Sequence, residues 1–428
     1  MVCMAARLRI VLSGLLLACS CEARGLRIST AHDAGGTRGA TSSAGGTTGT
    51  MGDTTSSGGT TSSASPTGTT GGTINAKGGG TSGTAGTTGS TGGATNSAGT
   101  TGTTVLQGIF VATGSMTVAG SEHTATLLSN GNVLIAGGLG LASAKLYNPT
   151  TGAFTATGDM TVAKSGHTAT LLPSGNVLIA GGLQLASAEL YNSATGTFTA
   201  TGNMTVARVW HTATLLPSGR VLIAGGSSTP GQFASAELYN PATGTFTATG
   251  NMTVARVFDA AALLPSGKVL ITGGEGDSFD GVASAELYDP AAGAFTATGN
   301  MTVARHDHTA TLLGNGKVLI AGGVGGIYNL ASAELYDPGV GRFTATASMT
   351  TYRADYTATL LSSGKVLIAG GFANGWLASA ELYDPTAGTF TATGSMFVAS
   401  SGHTATLLLD GKVLIVGGTL AASAELYQ

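Results

Sequence analysis

"HTATLLPSGRVLIAGG", residues 211–226, recurs in close variants at seven places along this chain. Two short apolar runs, "HTATLL" and "VLIAGG", flank Ser218-Gly219, and other copies carry Asn315-Gly316 or Asp410-Gly411 at the same point. Such a pair between partly β-branched runs predicts a hairpin closed by a type I′ turn, whose two central residues need positive φ. The stretch therefore reads as two antiparallel strands.

Working outward, the double glycine serves as a ruler, its first members being Gly137, Gly181, Gly225, Gly273, Gly322, Gly370 and Gly417. Fourteen residues before each stand His123, His167, His211, Asp259, His308, Tyr356 and His403, with a methionine seven residues earlier still. Downstream, "ASAELY" variants end at Tyr147, Tyr191, Tyr239, Tyr288, Tyr336, Tyr383 and Tyr427, and a phenylalanine follows the first six tyrosines by seven residues. A period of 44 to 49 residues marks a stacked or radial array of one supersecondary unit. "SAELY" and "TFTAT" supply a third and a fourth strand, and four antiparallel strands per unit describe a propeller blade.

Tyr427 lacks the following phenylalanine, yet Phe110 precedes Met116 by six residues, as Phe154 precedes Met160. The N-terminal segment is thus expected to be the missing fourth strand of the seventh blade. Its pairing would close the ring and remove the unpaired edges of an open array. The expectation is an all-β, seven-bladed β-propeller over residues 105–428.

The rest of the chain is unlike the repeats. Arg7 and Arg9 precede an apolar run, Ile10 to Ala18, too short for a membrane-spanning helix of about 20 residues and readable as a secretion signal. "LLAC", Leu16 to Cys19, resembles the bacterial lipobox, which implies acylation of Cys19, and Ser20 after it implies outer-membrane sorting. Residues 1–21 are assigned to this signal and 22–104 to a disordered Gly/Ser/Thr-rich linker without apolar periodicity. A coil of that composition and length reaches roughly 50 Å. Membrane contact is expected only through the lipid anchor; otherwise the protein is a periplasmic or secreted monomer.

Composition excludes some functions. A net charge of -3 leaves no basic excess for a nucleic-acid partner. The three cysteines are Cys3, Cys19 and Cys21, so the repeats hold no disulfide, thiolate metal site or cysteine nucleophile.

The double glycine after "VLIA", the spaced tyrosine and the later aromatic resemble the kelch repeat, in the bacterial style of the galactose oxidase central domain. Phenylalanine stands where that family commonly has tryptophan, and no Trp-Asp pair supports a WD40 reading. Galactose oxidase activity would imply copper held by tyrosines and histidines, with one tyrosine cross-linked to a cysteine. The cysteine-free repeats exclude that activity, and no cofactor or metal is expected.

Length variation points to a functional face. From first glycine to tyrosine the copies count 10, 10, 14, 15, 14, 13 and 10 residues, so insertions fall between the second and third strands. Strand alternation puts these loops on the face that carries the methionine-to-histidine link. Blades three to six have the long loops and also Arg208, Arg256, Arg305 and Arg353 at one repeat position. Trp210, Trp376, Phe279, Tyr328 and Tyr352 are expected on the same face, with Phe233, Phe258 and Tyr356 nearby. Together they suggest a shallow, off-centre, aromatic and cationic site for a glycan or an extracellular or envelope protein.

Other readings stay open for the same residues. The arginines are equally readable as partners of Glu237, Glu286, Glu334 and Glu381, since blade one replaces both members, by Gly120 and Lys145; Ser400 with Glu425 breaks that correlation. The histidines read as hydrogen-bonded structural residues rather than a metal ring, and Glu275, Asp277 and Asp280 as a solvated loop rather than a calcium site. Sugar mutarotation or epimerisation, with Asp259 beside Arg256, or Asp307 and Asp355, is the alternative function; a passive structural surface protein is another.

Overall fold

A computed structural model describes residues 108–118, 120–229, 231–276, 281–419 and 421–428. The leader, Cys19, the linker and Phe279 lie outside the described residues. Seven four-stranded antiparallel sheets account for the repeats, and no helix occurs among the described residues. In blade three the strands are Thr212–Leu215, Val221–Ala224, Ala236–Asn240 and Thr245–Ala248, in that spatial order. The innermost strands of successive blades neighbour one another all the way round, the first against the seventh.

The seventh blade closes as the orphan phenylalanine implies. Phe110–Ala112 forms its outermost strand, antiparallel to Ala424–Tyr427, with Phe110 opposite Tyr427. Those two rings lie 5.0 Å apart, close to the 4.8 Å of Tyr239 and Phe246 inside blade three.

The hairpin differs from the expected type. Leu216 to Gly219 closes with a Gly219 N–H to Leu216 carbonyl bond of 2.9 Å, and Gly219 has φ of 80° while Ser218 is not left-handed. This is a type I turn followed by one left-handed glycine. Pro217 suits its first central position, but copies without proline make the same turn, as at Gly131, with φ of 83° and its amide 2.9 Å from the Leu128 carbonyl.

Each "VLIA" strand is buried along its whole length, because alternate side chains pack into the seams on either side of the blade. Leu178 and Ala180 of blade two, for example, meet Met204, Val221, Ile223 and Tyr239 of blade three. Burying such side chains contributes about 1.5–3 kcal/mol apiece. The first glycine of each pair is required by proximity. A Cβ on Gly181 would stand 2.6 Å from the Arg208 carbonyl oxygen and 2.9 Å from the Met204 methyl.

Two rings of polar bonds stitch the seams. Every repeat tyrosine hydroxyl bonds a threonine at the end of the preceding blade's fourth strand, from Thr157 with Tyr191 at 2.9 Å to Thr113 with Tyr147 across the closure, also 2.9 Å. Nearer the axis, His123, His167, His211 and His403 reach the first threonine of the preceding innermost strand through Nε2, at 2.9 to 3.1 Å. Tyr356 reaches Thr309 likewise.

Candidate functional site

Insertions and links do share one face. In blades three to six the long loops bridge back to the links of the same blades, pairing Val209 with Ser227, Val257 with Glu275, His306 with Val324 and Ala354 with Phe372. Small hairpins extend blade three (Ser227–Ser228 with Gly231–Gln232) and blade five (Val324–Gly325 with Tyr328–Asn329).

The arginines are not on that face, which corrects the cationic half of the expected site. Arg208, Arg256, Arg305 and Arg353 are all 0% exposed and ion-paired to Glu237, Glu286, Glu334 and Glu381 at 3.1, 2.8, 3.0 and 2.8 Å. Arg208 also donates to the carbonyls of Gly225 and Ser235 at 2.8 and 2.9 Å, and Phe233 covers its guanidinium at 5.1 Å. A buried cation needs such partners to offset its lost hydration. Burial lowers the pKa of Arg208 and Arg305, against the opposing pull of their carboxylates.

The blade-seven exception also resolves. Ser400 donates to the Gly417 carbonyl at 3.1 Å, while Glu425 still accepts the Phe397 and Val398 amides at 2.9 and 3.1 Å. The glutamate position thus caps the link whether or not a cation is present, as Glu237 caps the Thr205 amide at 2.7 Å.

The two tryptophans occupy different places. Trp210 stands one residue before the His211 position, where all seven blades are left-handed: Glu122, Gly166, Trp210, Phe258, Asp307, Asp355 and Gly402 have φ of 60, 62, 54, 56, 54, 54 and 63°. Neighbours in this ring touch: Trp210 stacks on Phe258 at 4.8 Å, and the Asp307 amide donates to the Phe258 carbonyl at 3.1 Å. His306 Nδ1 lies 3.0 Å from Asp307 Oδ2. Asp307 and Asp355, named for the epimerase alternative, therefore sit in this ring. Asp259 faces inward, both carboxylate oxygens buried without a hydrogen-bond partner, and burial pushes its pKa up to about 7 despite Arg256.

Trp376 is 46% exposed and lies off the axis in blade six. With Tyr352, 39% exposed, it lines an open cleft of roughly 470 Å³ formed by residues 350–352 and 373–377. Asn374 Nδ2 donates to the Tyr352 hydroxyl at 2.6 Å. The loop is held by a bridge from Phe372 to Trp376, by the Leu377 amide to the Gly371 carbonyl at 2.9 Å, and by Asn329 of the neighbouring hairpin. Asn329 Nδ2 donates to the Phe372 and Ala373 carbonyls at 3.1 and 3.3 Å. Tyr328, 69% exposed, caps that hairpin outside the cleft lining.

The structure thus gathers Trp376 and Tyr352, leaves Tyr328 beside them, and places Trp210 with Phe258 in the axial ring. Thr351 and Asn374 were not singled out from sequence. A signal existed: "TTYR" at 350–353 stands where four other blades read "TVAR" or "TVAK", and Asn374-Gly375 marks a tight turn.

Repeated histidines are engaged in the seams. Burial lowers His123 and His403 to about 4 and His167 and His211 to about 3, so all four are neutral. On the opposite face Lys268, Lys317 and Lys365 pair with Asp289, Asp337 and Asp384 at 3.0, 3.0 and 3.2 Å in half-exposed settings.

No family model and no curated protein matches the chain. A solved structure described as a novel fungal alcohol oxidase with catalytic diversity among the AA5 family, in complex with copper, is similar in fold. It shares 20% identity over 75% of this chain and 76% of that one, with a TM-score of 0.63. The chain is accordingly a seven-bladed propeller similar to that galactose-oxidase-like fold. Its residues do not fit a copper centre of the kind that the kelch resemblance would imply. His123, His167, His211 and His403 are divided among the seams, each bonded to a threonine there, and the cysteines all precede the repeats.

Proposed function

We propose that this protein is an exported, lipid-anchored binding module that recognises a glycan or an envelope protein through the long-loop face of its propeller. The observation that carries the reading is the Tyr352–Asn374–Trp376 cleft. Two aromatic rings, Tyr352 on the link and Trp376 on a tightly bonded loop, are held half-exposed around one cleft, the kind of anchor that recognition surfaces use. Acylation at Cys19 and a monomeric state complete the proposal.

The direct experiment is a binding screen of the full chain on an array of envelope and matrix glycans and in pull-downs of envelope proteins. The Trp210→Ala, Trp376→Ala double variant is run alongside. Binding that the double variant loses, with an unchanged circular dichroism melt, supports the proposal, whereas equal binding by both proteins removes the face from it. Separately, Cys19→Ala is expected to shift the protein from the membrane to the soluble fraction; retention in the membrane would argue against the anchor.

A further inference from the structure

We infer that the blade-six cleft takes a segment of uncharged polysaccharide. This deepens, and rests on, the reading of the long-loop face as a recognition surface. The cleft is lined by hydroxyls at Thr350, Thr351 and Tyr352, an amide at Asn374 and the rings of Tyr352 and Trp376; none carries a formal charge at neutral pH.

The ion pair that holds the link beneath the cleft is withdrawn from it. Glu381 lies beneath the link, accepting the Thr350 and Thr351 amides at 2.7 and 3.3 Å, and its charge is matched by Arg353 at 2.8 Å, the two side chains being 2% and 0% exposed. The pair fixes the cleft floor without presenting a charge to a ligand. Anionic and cationic chains therefore find no counter-charge here, while a neutral sugar finds a flat ring for its C–H face and donors and acceptors for its hydroxyls.

Shape supports a chain segment. The cleft is open rather than enclosed, so a polymer can lie across it with its flanking residues in solvent. The loop is already fixed by its own bonds to 371, 372 and 373, which limits the ordering cost of binding. Ala373 and Leu377 are the only aliphatic side chains in the lining, so an occupant meets chiefly two rings, three hydroxyls and one amide.

Affinity electrophoresis of the full chain tests this, in native gels containing hydroxyethyl cellulose or galactomannan as neutral probes and alginate or polygalacturonate as anionic ones. At least one neutral probe is expected to retard the protein. The dissociation constant should change less than about twofold between 0.01 and 1 M salt, over which the Debye length falls from roughly 30 to 3 Å. Trp376→Ala should weaken binding roughly tenfold or more, and Asn374→Ala, which removes no ring, should weaken it less. Retardation only by the anionic probes, or loss in high salt, overturns the neutral class while the binding reading stands. Neutral binding indifferent to both variants overturns the cleft. Binding only to an envelope protein overturns the polysaccharide, and binding to nothing removes both this inference and the function it rests on.

Discussion

Asp259 shows how one residue can break a sevenfold rule. The other six blades place histidine or tyrosine at its position to bond a hydroxyl across the seam; an aspartate is too short, and Thr212 instead turns to the Ala224 carbonyl at 3.4 Å. The next blade compensates for a second loss: Ala260 lacks the hydroxyl His308 would use, and Thr272, opposite Ala260 in the ladder, supplies it at 2.9 Å. Nothing comparable rescues Asp259. Its folded pKa, about 7 against an ordinary 3.8, means the native state holds this proton more tightly than the unfolded chain. Its stability contribution is therefore fully present below the ordinary value and is lost as pH rises through about 7. The buried histidines act oppositely: with folded pKa values of about 3 to 4 against 6.5, they weaken the fold as pH falls below 6.5. Overall stability should consequently fall steeply in acid. Asp259→Asn and Asp259→His should both stabilise the protein at pH 8 by about 1–3 kcal/mol, the scale of an unsatisfied buried group, with a smaller gain near pH 5. Urea unfolding at both pH values measures this, and a gain that grows toward acid would contradict the assignment.

At the scale of the element, the link before each innermost strand is what the arginine–glutamate pairs organise. Arg305 ties its link to Gly322, Ser332 and Glu334, and Glu334 caps the Thr302 and Val303 amides. Arg305→Met should cost about 3–5 kcal/mol, since it leaves a buried carboxylate unpaired. Arg305→Lys should cost less, because blade two already runs on Lys164, 3.8 Å from Glu189 and bonded to Ser187. Chemical denaturation separates these outcomes, and equal losses for both variants would show that a positive charge without the guanidinium fork does not serve this blade. Much of this organisation was legible in the sequence: the hairpins and the third and fourth strands follow from recurring motifs, and the insertion face from the one offset that varies. Two things were not. The co-occurrence of arginine with long loops fits a ligand surface and a sealed ion pair equally, and only depth, which spacing does not encode, decides between them. The turn type was misread because a residue–glycine pair serves a type I turn followed by a left-handed glycine as readily as a type I′ turn.

At the scale of the whole molecule, stability depends on joining residues from opposite ends of the propeller sequence. Phe110–Ala112 offers only three residues to its blade, yet it supplies the ring that packs on Tyr427, the Thr113 hydroxyl that meets Tyr147, and the Gly108 and Ile109 amides that reach the Gln428 carbonyl at 2.6 and 3.2 Å. Elsewhere the fourth strand follows the third through a short turn, so losing its phenylalanine leaves the strand tethered nearby. At the closure the same loss must be met against the full loop-closure entropy of the ring. Phe110→Ala and Phe246→Ala remove the same side chain from equivalent sites, only 6% and 9% exposed, and the packing loss alone is about 3–5 kcal/mol for each. If closure is the weak point, Phe110→Ala should additionally expose the Ala424–Tyr427 edge, giving fast amide exchange confined to the seventh and first blades and concentration-dependent association through the freed edge. Phe246→Ala should lower stability while leaving exchange in those two blades at parental rates. Matching exchange patterns for the two variants would mean that the seam between first and seventh blades is held by the inner strands alone, and that the orphan strand merely covers it.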